Sequence, residues 1–431
     1  MQKDDFTVEE ELEVTAATGG SAPIPLPGKV ISIFPAFAHR NFQLYFAGQA
    51  ISIIGFWLHQ VAVGWLSFQL TNSAFWVGAV AAATGLPILF FTTFAGVIID
   101  KVDKKKLLIV TQVTEGILAI ILGLLVYFSL INLPLLILLS FLIGTVAAID
   151  LPTRLTYMVE MVGKKDLASA IPINNSLFNG ARFIGPAIAG ALIVKTGLAM
   201  PFILNGLSFI AGILAIIAVK PVYIAKSEAN IHPLESLKAG LKYSFGHPKI
   251  LYFLILGTLS AICIWPYQTL MPIVAERVYH SGAQGYGSLL SSAGLGGFLG
   301  AIYTSSRAKS ANKGRFIFYG MMVSSVTFIL FAINRNFVLA HVLLFVSGFG
   351  LILQTATLNT LVQLNSPDGM RGRIMAVYLT MFVGMIPLGN FIMGYVAEKT
   401  NAMFVIGVGG AIVFLVGVYF YFRGIFSKFS A

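Results

Sequence analysis

The sequence predicts an all-α membrane protein with twelve transmembrane helices arranged as two six-helix repeats. Three observations carry this. The 431 residues are 57% apolar and only 10% charged, with a mean hydropathy of +0.86, which no soluble chain of this length matches. The apolar residues fall into twelve long runs, each near the ~20 residues that a helix needs to cross a bilayer. Of the 28 lysines and arginines, 23 lie in the loops or run ends on one side if the runs alternate direction, four lie on the other, and Arg182 sits deep inside a run. One missed span would scramble that asymmetry in every later loop.

The chain begins with a polar tail over 1–38. Asp4, Asp5, Glu9, Glu10, Glu11 and Glu13 precede Pro23, Pro25 and Pro27. This segment has too little apolar surface to fold alone and lacks the basic start and apolar centre of a signal peptide. It is expected to be a disordered cytoplasmic tail. The apolar runs follow at about 42–70, 75–99, 107–131, 133–157, 169–195 and 199–219, which make a first half over 39–219. They continue at about 249–274, 285–306, 315–333, 337–362, 373–397 and 402–423, which make a second half over 249–431. Runs this long and continuously apolar are helices, because barrel strands are shorter and alternate. The 220–248 segment between the halves places Leu234, Leu237, Leu241 and Phe245 at helical spacing, with Lys238 and Lys242 between them. That predicts a short amphipathic helix on the cytoplasmic membrane surface.

The halves echo each other. Gly185 and Gly190 align with Gly389 and Gly394 at an offset of 204 residues, and Gly96 and Asp100 align with Gly300 and Thr304 at the same offset. Parallel repeats of this kind place a substrate site between the two halves.

The stretch Gly96-Val-Ile-Ile-Asp100-Lys101, followed by Lys104, Lys105 and Lys106, resembles the loop between helices 2 and 3 of the major facilitator superfamily, with Asp103 where that family usually has glycine. Further residues resemble its siderophore-exporter (enterobactin-type) and macrolide-efflux branch. These are Arg40-Asn41-Phe42, Gly48-Gln49, Trp57 and Trp65 in the first run, Asp150-Leu-Pro152-Thr-Arg154 in the fourth, and Asn175-Ser-x-Phe-Asn179 with Gly185-Pro186 in the fifth. Pro367-Asp368-x-x-Arg371-Gly372-Arg373 resembles that branch's loop before helix 11. The likeness spans roughly 39–425. His59 and Gln60 depart from the branch, which often carries Gln and Arg there.

The resemblance implies that Gly96, Asp100 and Lys101 form a cytoplasmic gate with Arg371 and Arg373. It implies that helices 1, 4, 7 and 10 line the cavity. Gly185-Pro186-x-x-Ala189-Gly190 resembles the helix 5 motif of proton-coupled drug exporters. A bare packing face of small residues is the competing reading.

Formal charges inside the runs are costly, so each needs a partner or a use. Glu115, Asp150 and Arg182 lie inside, and His59 can titrate. These four are the candidate proton-coupling residues. Asp150 and Arg154 share a helix face and read equally as a structural ion pair. Trp57, Gln60, Trp265, Tyr267, Gln268, Gln354, Thr357 and Asn359 are the candidate lining of the cavity, a set of aromatics and amides suited to a mixed apolar–polar ligand.

The expected function is a secondary transporter of the bacterial cytoplasmic membrane, multi-pass, exporting an amphipathic drug- or siderophore-sized molecule by proton exchange. An importer or a lysolipid transporter on the same fold is the alternative. The expected partners are the substrate, protons and the bilayer. No nucleic acid is expected, since the bases lie in loops between apolar runs, and the chain is read as a monomer. No nucleotide-binding glycine loop or histidine-rich metal motif appears, so neither an enzyme nor a cofactor is expected. The single cysteine, Cys263, rules out an internal disulfide and reads as a packing residue.

Both termini are expected in the cytoplasm. Single cysteines at Lys105 and Arg371, in a Cys263→Ala background, should resist an impermeant thiol reagent added to intact cells. Labelling of either would invert the topology.

Overall fold

The computed structural model describes residues 34–220, 233–307, 312–367 and 369–429, except the side chains at 93, 94, 97, 98, 100, 164, 233–236 and 428. The acidic and proline-rich part of the expected tail lies outside the described residues. Its last residues do not behave as a tail. Pro35–Ala38 form a turn of 3₁₀ helix, the Ala36 amide donates to Ser169 Oγ, and His39 meets Asp166 at 2.7 Å.

A helix satisfies its own backbone, and the apolar runs all become helices. They are α1 (Arg40–Thr71), α2 (Ala74–Lys101), α3 (Lys104–Tyr127), α4 (Leu133–Gly163), α5 (Lys165–Thr196) and α6 (Ala199–Ala218) in the first half. The second half has α7 (Pro248–Arg277), α8 (Gly282–Ser306), α9 (Lys313–Ile333), α10 (Phe337–Leu364), α11 (Arg371–Lys399) and α12 (Ala402–Phe422). Eleven of these are long and apolar enough to span a membrane on composition alone. The exception is α8, whose glycines and serines lower its apolarity. It is instead held among α5, α7 and α10. Asparagine and serine side chains start several helices. Ser73, Asn132, Asn336 and Asn401 each accept an amide from the first turn that follows.

Three details depart from the sequence-based expectation. The loop expected between the fourth and fifth runs is absent: α4 and α5 continue into each other and break only at Gly163, whose φ of 72° suits a residue without Cβ. Both helices therefore project well beyond membrane length. Second, α7 and α11 are each interrupted, at Ile264–Pro266 and at Val383–Met385. Pro266 has no amide proton to continue the ladder, and the amides of Ile264 and Trp265 both turn to the Ser260 carbonyl. Third, the linker helix Pro233–Gly246 docks on the start of α11. A Cβ at Gly240 would lie 2.8 Å from the Arg373 carbonyl, and Leu237 and Leu241 pack into the second-half core while Phe245 stays exposed.

The lysine-rich loops are tied down. Lys104 pairs with Glu160 at 2.8 Å, and Lys105 Nζ donates to the carbonyls of Ile217 and Val219, closing the end of α6. We call this the basic face.

The two halves meet on the opposite face through glycine. A Cβ at Gly78 (α2) would collide with the Asn390 carbonyl of α11, and one at Gly394 would lie 2.7 Å from the Ala74 carbonyl. The second seam repeats the first: a Cβ at Gly190 (α5) would lie 2.7 Å from the Ala283 carbonyl, and one at Gly287 (α8) would collide with the Pro186 carbonyl. Such approaches leave no room for any side chain, and close backbone packing of this kind is a main source of helix association in lipid. The aligned glycines thus do equivalent work. Gly190 and Gly394 touch the opposite half, while Gly185 and Gly389 touch α1 and α7 of their own halves.

Toward the basic face the seams part. A Cβ at Gly180 would find only Phe298, at 3.9 Å, and one at Gly96 would find nothing within 4 Å. Four other contacts close the opposite face. The Glu398 carboxylate accepts from Ser73 Oγ and from the amides of Ala74 and Phe75, at the start of α2, and Arg277 donates to Asn72. Gly78→Leu with Gly287→Leu should hold this face open. A cysteine at Ser291, in Cys263→Ala protein, should then become alkylated, where it is protected with the glycines present. Equal protection would show that these seams do not close the protein.

Candidate functional site

Where the halves meet in the middle, one charged side chain lies between aromatic rings from both. The Arg182 guanidinium (α5) sits 4.7 Å from the Trp265 ring centroid of α7 and 5.8 Å from that of Trp57 on α1. Tyr267 presents its hydroxyl to the same guanidinium. Phe178 packs on Trp57 with centroids 5.5 Å apart, and Phe382 packs edge-on to Trp265 at 5.9 Å. The local folding explains the placement. Gly185 lets α1 approach until a Cβ there would collide with the Trp57 Cβ, and Gly294 lets α8 close on the Arg182 carbonyl in the same way. The break in α7 sets Trp265 and Tyr267 at the junction of its two segments.

The chemistry of this box is one-sided. Arg182 is 7% exposed and forms no ion pair among the described residues. The Nε1 atoms of Trp57 and Trp265 are buried without a hydrogen-bond partner. A guanidinium and two indole N–H groups are donors only, with the Tyr267 hydroxyl beside them. The arrangement fits an aromatic ligand that brings an acceptor, best an anionic oxygen, since charge-assisted bonds to Arg are the strong ones.

A second polar centre lies wholly inside the first half. Asp150 (α4) is 2% exposed; it accepts from Thr111 Oγ1 of α3 at 2.7 Å and from Arg154 Nε one turn away. Arg154 also donates through Nη1 to Gln49 Oε1 of α1, and its Nη2 is 4.0 Å from Glu115 Oε2 of α3. Gln49 Nε2 and both amide atoms of Gln112 are buried with no partner.

Of the four residues expected to handle protons, the structure brings Asp150 and Glu115 together and separates them from the other two. Arg182 belongs to the aromatic box, and among the described residues it is Arg154 that pairs with Asp150. His59 is buried edge-on against Phe202 of α6, 5.1 Å between centroids, with Nδ1 unpartnered. It faces the interior of its own half.

Of the expected lining, Trp57, Trp265 and Tyr267 form the box. Gln60 and Gln268 are half-buried. Gln354 is fully buried and donates to Ser260 Oγ at 2.6 Å, bonding α10 to α7. Thr357 Oγ1 donates to Leu353 of its own helix, and Asn359 accepts from Gln363. Thr357 and Asn359 thus have partners on their own helix, and Gln354 has one on α7. Gly185, Pro186 and Gly190 lie in the α5 contacts already described.

Of the expected gate, Gly96 and Lys101 lie near the basic end of α2, and Arg371 and Arg373 begin α11. Lys101 and Arg371 are exposed, and Arg371 Nε donates to the Gln363 carbonyl. Arg373 Nη1 meets Met370 Sδ at 3.4 Å. The Asp100 side chain falls outside the described residues, and with it the expected contact to Arg371 and Arg373.

Sequence reading missed Gln49 and Thr111, which hold the ends of the Arg154–Asp150 pair, and Glu398, Asn72 and Arg277 on the closed face. An i,i+4 pair shows itself in a sequence; partners from other helices do not. Among the described residues no cluster of three or more His, Cys, Asp or Glu side chains could hold a metal. A cavity of about 310 Å³ on the flank, between α7, the linker helix and α11 near Leu254, Thr258 and Met381, has an apolar lining, and the Thr258 hydroxyl there already donates to the Met381 carbonyl.

Comparison with known proteins agrees with this architecture. The profile of the family described as "transmembrane secretion effector" matches residues 31–428. The staphyloferrin A transporter of Staphylococcus aureus is 23% identical over 383 residues, covering 88% of this chain and 95% of that protein. The enterobactin exporter EntS of Escherichia coli is 25% identical over 380 residues, covering 88% and 91%. In three dimensions the chain resembles a mutant form of the nucleoside transporter NupG, with a TM-score of 0.71 at 16% identity, covering 88% of this chain and 99% of that one.

The inner polar centre makes a stability prediction. Removing one partner of a buried ion pair costs about 3–5 kcal/mol. Arg154→Met should therefore destabilise the purified protein strongly in thermal unfolding. Adding Asp150→Asn to it should recover a large part of the loss. Additive effects of the two substitutions would show that the pair is not coupled.

Proposed function

The chain belongs to the transmembrane secretion effector family and has the major facilitator fold of membrane transporters, and we infer that it exports an aromatic, amphipathic acid of siderophore or drug size in exchange for protons. The observation that carries the substrate class is the Trp57–Arg182–Trp265 box. It is shared between the halves, so relative motion of the halves would make and break it, as alternating access requires. The rings supply area for an apolar aromatic body, and the single guanidinium supplies one anchor for an anionic oxygen. A polyanion would require more basic groups than Arg182 alone.

Export is favoured by the enterobactin exporter among the relatives and by the Gly185-Pro186-x-x-Ala189-Gly190 pattern. With the basic face read as cytoplasmic, the parted seams describe a state open to the cytoplasm, in which a substrate would load for export. The carboxylates of the inner polar centre are the candidate proton carriers. Gly96, Asp100, Lys101, Arg371 and Arg373 would draw together when the cytoplasmic side closes, a helix N-terminus and two arginines favouring the carboxylate there.

The test uses the purified full chain with three probes: salicylate, which is an aromatic acid, citrate, which is an acid without a ring, and ethidium, which is an aromatic cation. Salicylate should stabilise the protein most. Arg182→Gln should weaken that binding by about 1.5–3 kcal/mol, roughly ten- to a hundredfold. Preference for ethidium, unaffected by Arg182→Gln, would refute the anion anchor. In proteoliposomes an acid interior should drive salicylate inward by exchange for outgoing protons. Uptake indifferent to the gradient would remove the proton from the cycle.

A further inference from the structure

We propose that Glu115 carries an exchangeable proton in the inner polar centre, and that Asp150 and Arg154 form a fixed ion pair that never takes part in the exchange. The proposal rests on the reading of the protein as a proton-exchanging transporter, and it narrows the expectation from sequence, where Asp150 and Glu115 are both candidate proton carriers.

Three observations lead here. The first is a charge count. Asp150, Glu115 and Arg154 share one buried site, and two carboxylates face a single guanidinium. The site is left one positive charge short, and an uncompensated charge in a membrane interior is among the most costly arrangements a helix bundle can hold. A proton on one of the two acids restores neutrality.

The second is the distribution of partners. Both Asp150 oxygens are engaged, Oδ1 by Thr111 and Oδ2 by Arg154 Nε. Glu115 is also buried, yet its nearest cation is Arg154 Nη2 at the 4.0 Å edge of an ion pair. The two remaining nitrogens of Arg154 are thus unequal: Nη1 is held by Gln49, and Nη2 reaches toward Glu115 without bonding it closely. Hydrogen bonds to the ionised form favour ionisation, so Asp150 keeps its charge and Glu115 takes the proton.

The third is the surroundings. Gln49 Nε2, at the heart of the network, and the amide of Gln112, one turn before Glu115, are buried and unpartnered. They are spare hydrogen-bonding groups, one on a residue that already binds Arg154 and one on the helix that carries Glu115. Among the described residues no other ion competes for the role. On α4 the groups that face Glu115 are Asp150 and Arg154, and Glu160, further toward the basic face, is paired with Lys104. The α6 helix that packs on α3 has no titratable residue. From α1, Tyr45 faces the Arg154–Asp150 pair, and His59 is turned to Phe202.

The exchange itself is simple. When Arg154 Nη2 closes on Glu115, the carboxyl gives its proton to water and becomes a carboxylate. When Nη2 withdraws, the carboxylate takes a proton back. Gln49 is on α1, the helix that also carries Trp57, so movement of α1 connects the two sites without a shared residue.

Infrared spectroscopy of the full-length purified protein tests this directly. Wild-type protein at neutral pH should show the carbonyl band of a buried protonated carboxyl, shifting in heavy water. Glu115→Gln should lose the band. The double variant Asp150→Asn with Arg154→Met removes the fixed pair as a unit and should keep it. Loss in the double variant with survival in Glu115→Gln would assign the proton to Asp150 and overturn the proposal. A wild-type spectrum without the band would overturn it too, and another cation would then supply the missing charge. The proposal and the transport reading can fail separately. If the band belongs to Glu115 but salicylate uptake ignores the pH gradient, the proton site stands and the exchange reading falls. If uptake follows the gradient and the band survives Glu115→Gln, the reverse holds.

Discussion

Everything in this structure depends on two places where helix backbones touch without side chains between them. At α2–α11 and at α5–α8, glycine faces carbonyl oxygen at distances that exclude even a methyl group. Lipid tails are as apolar as leucine, so burying apolar side chains gives the halves little reason to associate within a membrane. Close backbone contact and polar bonds must do it. Because those contacts crowd toward one face, the two halves are joined there and part toward the basic face. The aromatic box lies at the inner limit of the α5–α8 seam, where Gly294 still meets the Arg182 carbonyl and Gly180 already finds almost nothing.

The same seams explain why charge is tolerated at the centre. Arg182 is stacked between two indole rings, which replace part of its hydration with cation–π contact. Its rings come from different halves, so the contact that stabilises the charge also reports whether the halves are together. The inner polar centre is a separate solution to the same problem. There an ion pair, a threonine and a glutamine enclose the charge within one half, away from the seam. Two polar centres thus stand apart, one between the halves and one inside a half, and the proposed function assigns ligand to the first and protons to the second.

Sequence alone determined the class, the succession of long apolar helices and the family, because each is written in composition, run length and motif. It also marked most of the residues from which the two centres are built: Trp57, Trp265, Tyr267 and Arg182 for the box, and Asp150, Arg154 and Glu115 for the inner centre. A charge in an apolar run is visible without a structure, since hydrocarbon makes it expensive wherever it ends up. What only the tertiary structure decided is partnership. Arg182 and Asp150 look like one ion-handling set in the sequence and prove to be in different centres, because a helix carries its side chains all round and the fold chooses which face meets which neighbour. Gln49, Thr111 and Glu398 were illegible for the same reason, their partners being supplied by other helices. The near-continuous α4–α5 run was hidden as well: the charges at Glu160, Lys164, Lys165 and Asp166 read as a loop, but Met158, Met161 and Val162 are buried in a cluster with Phe42, Tyr45 and Leu108, which carries α4 on to Gly163.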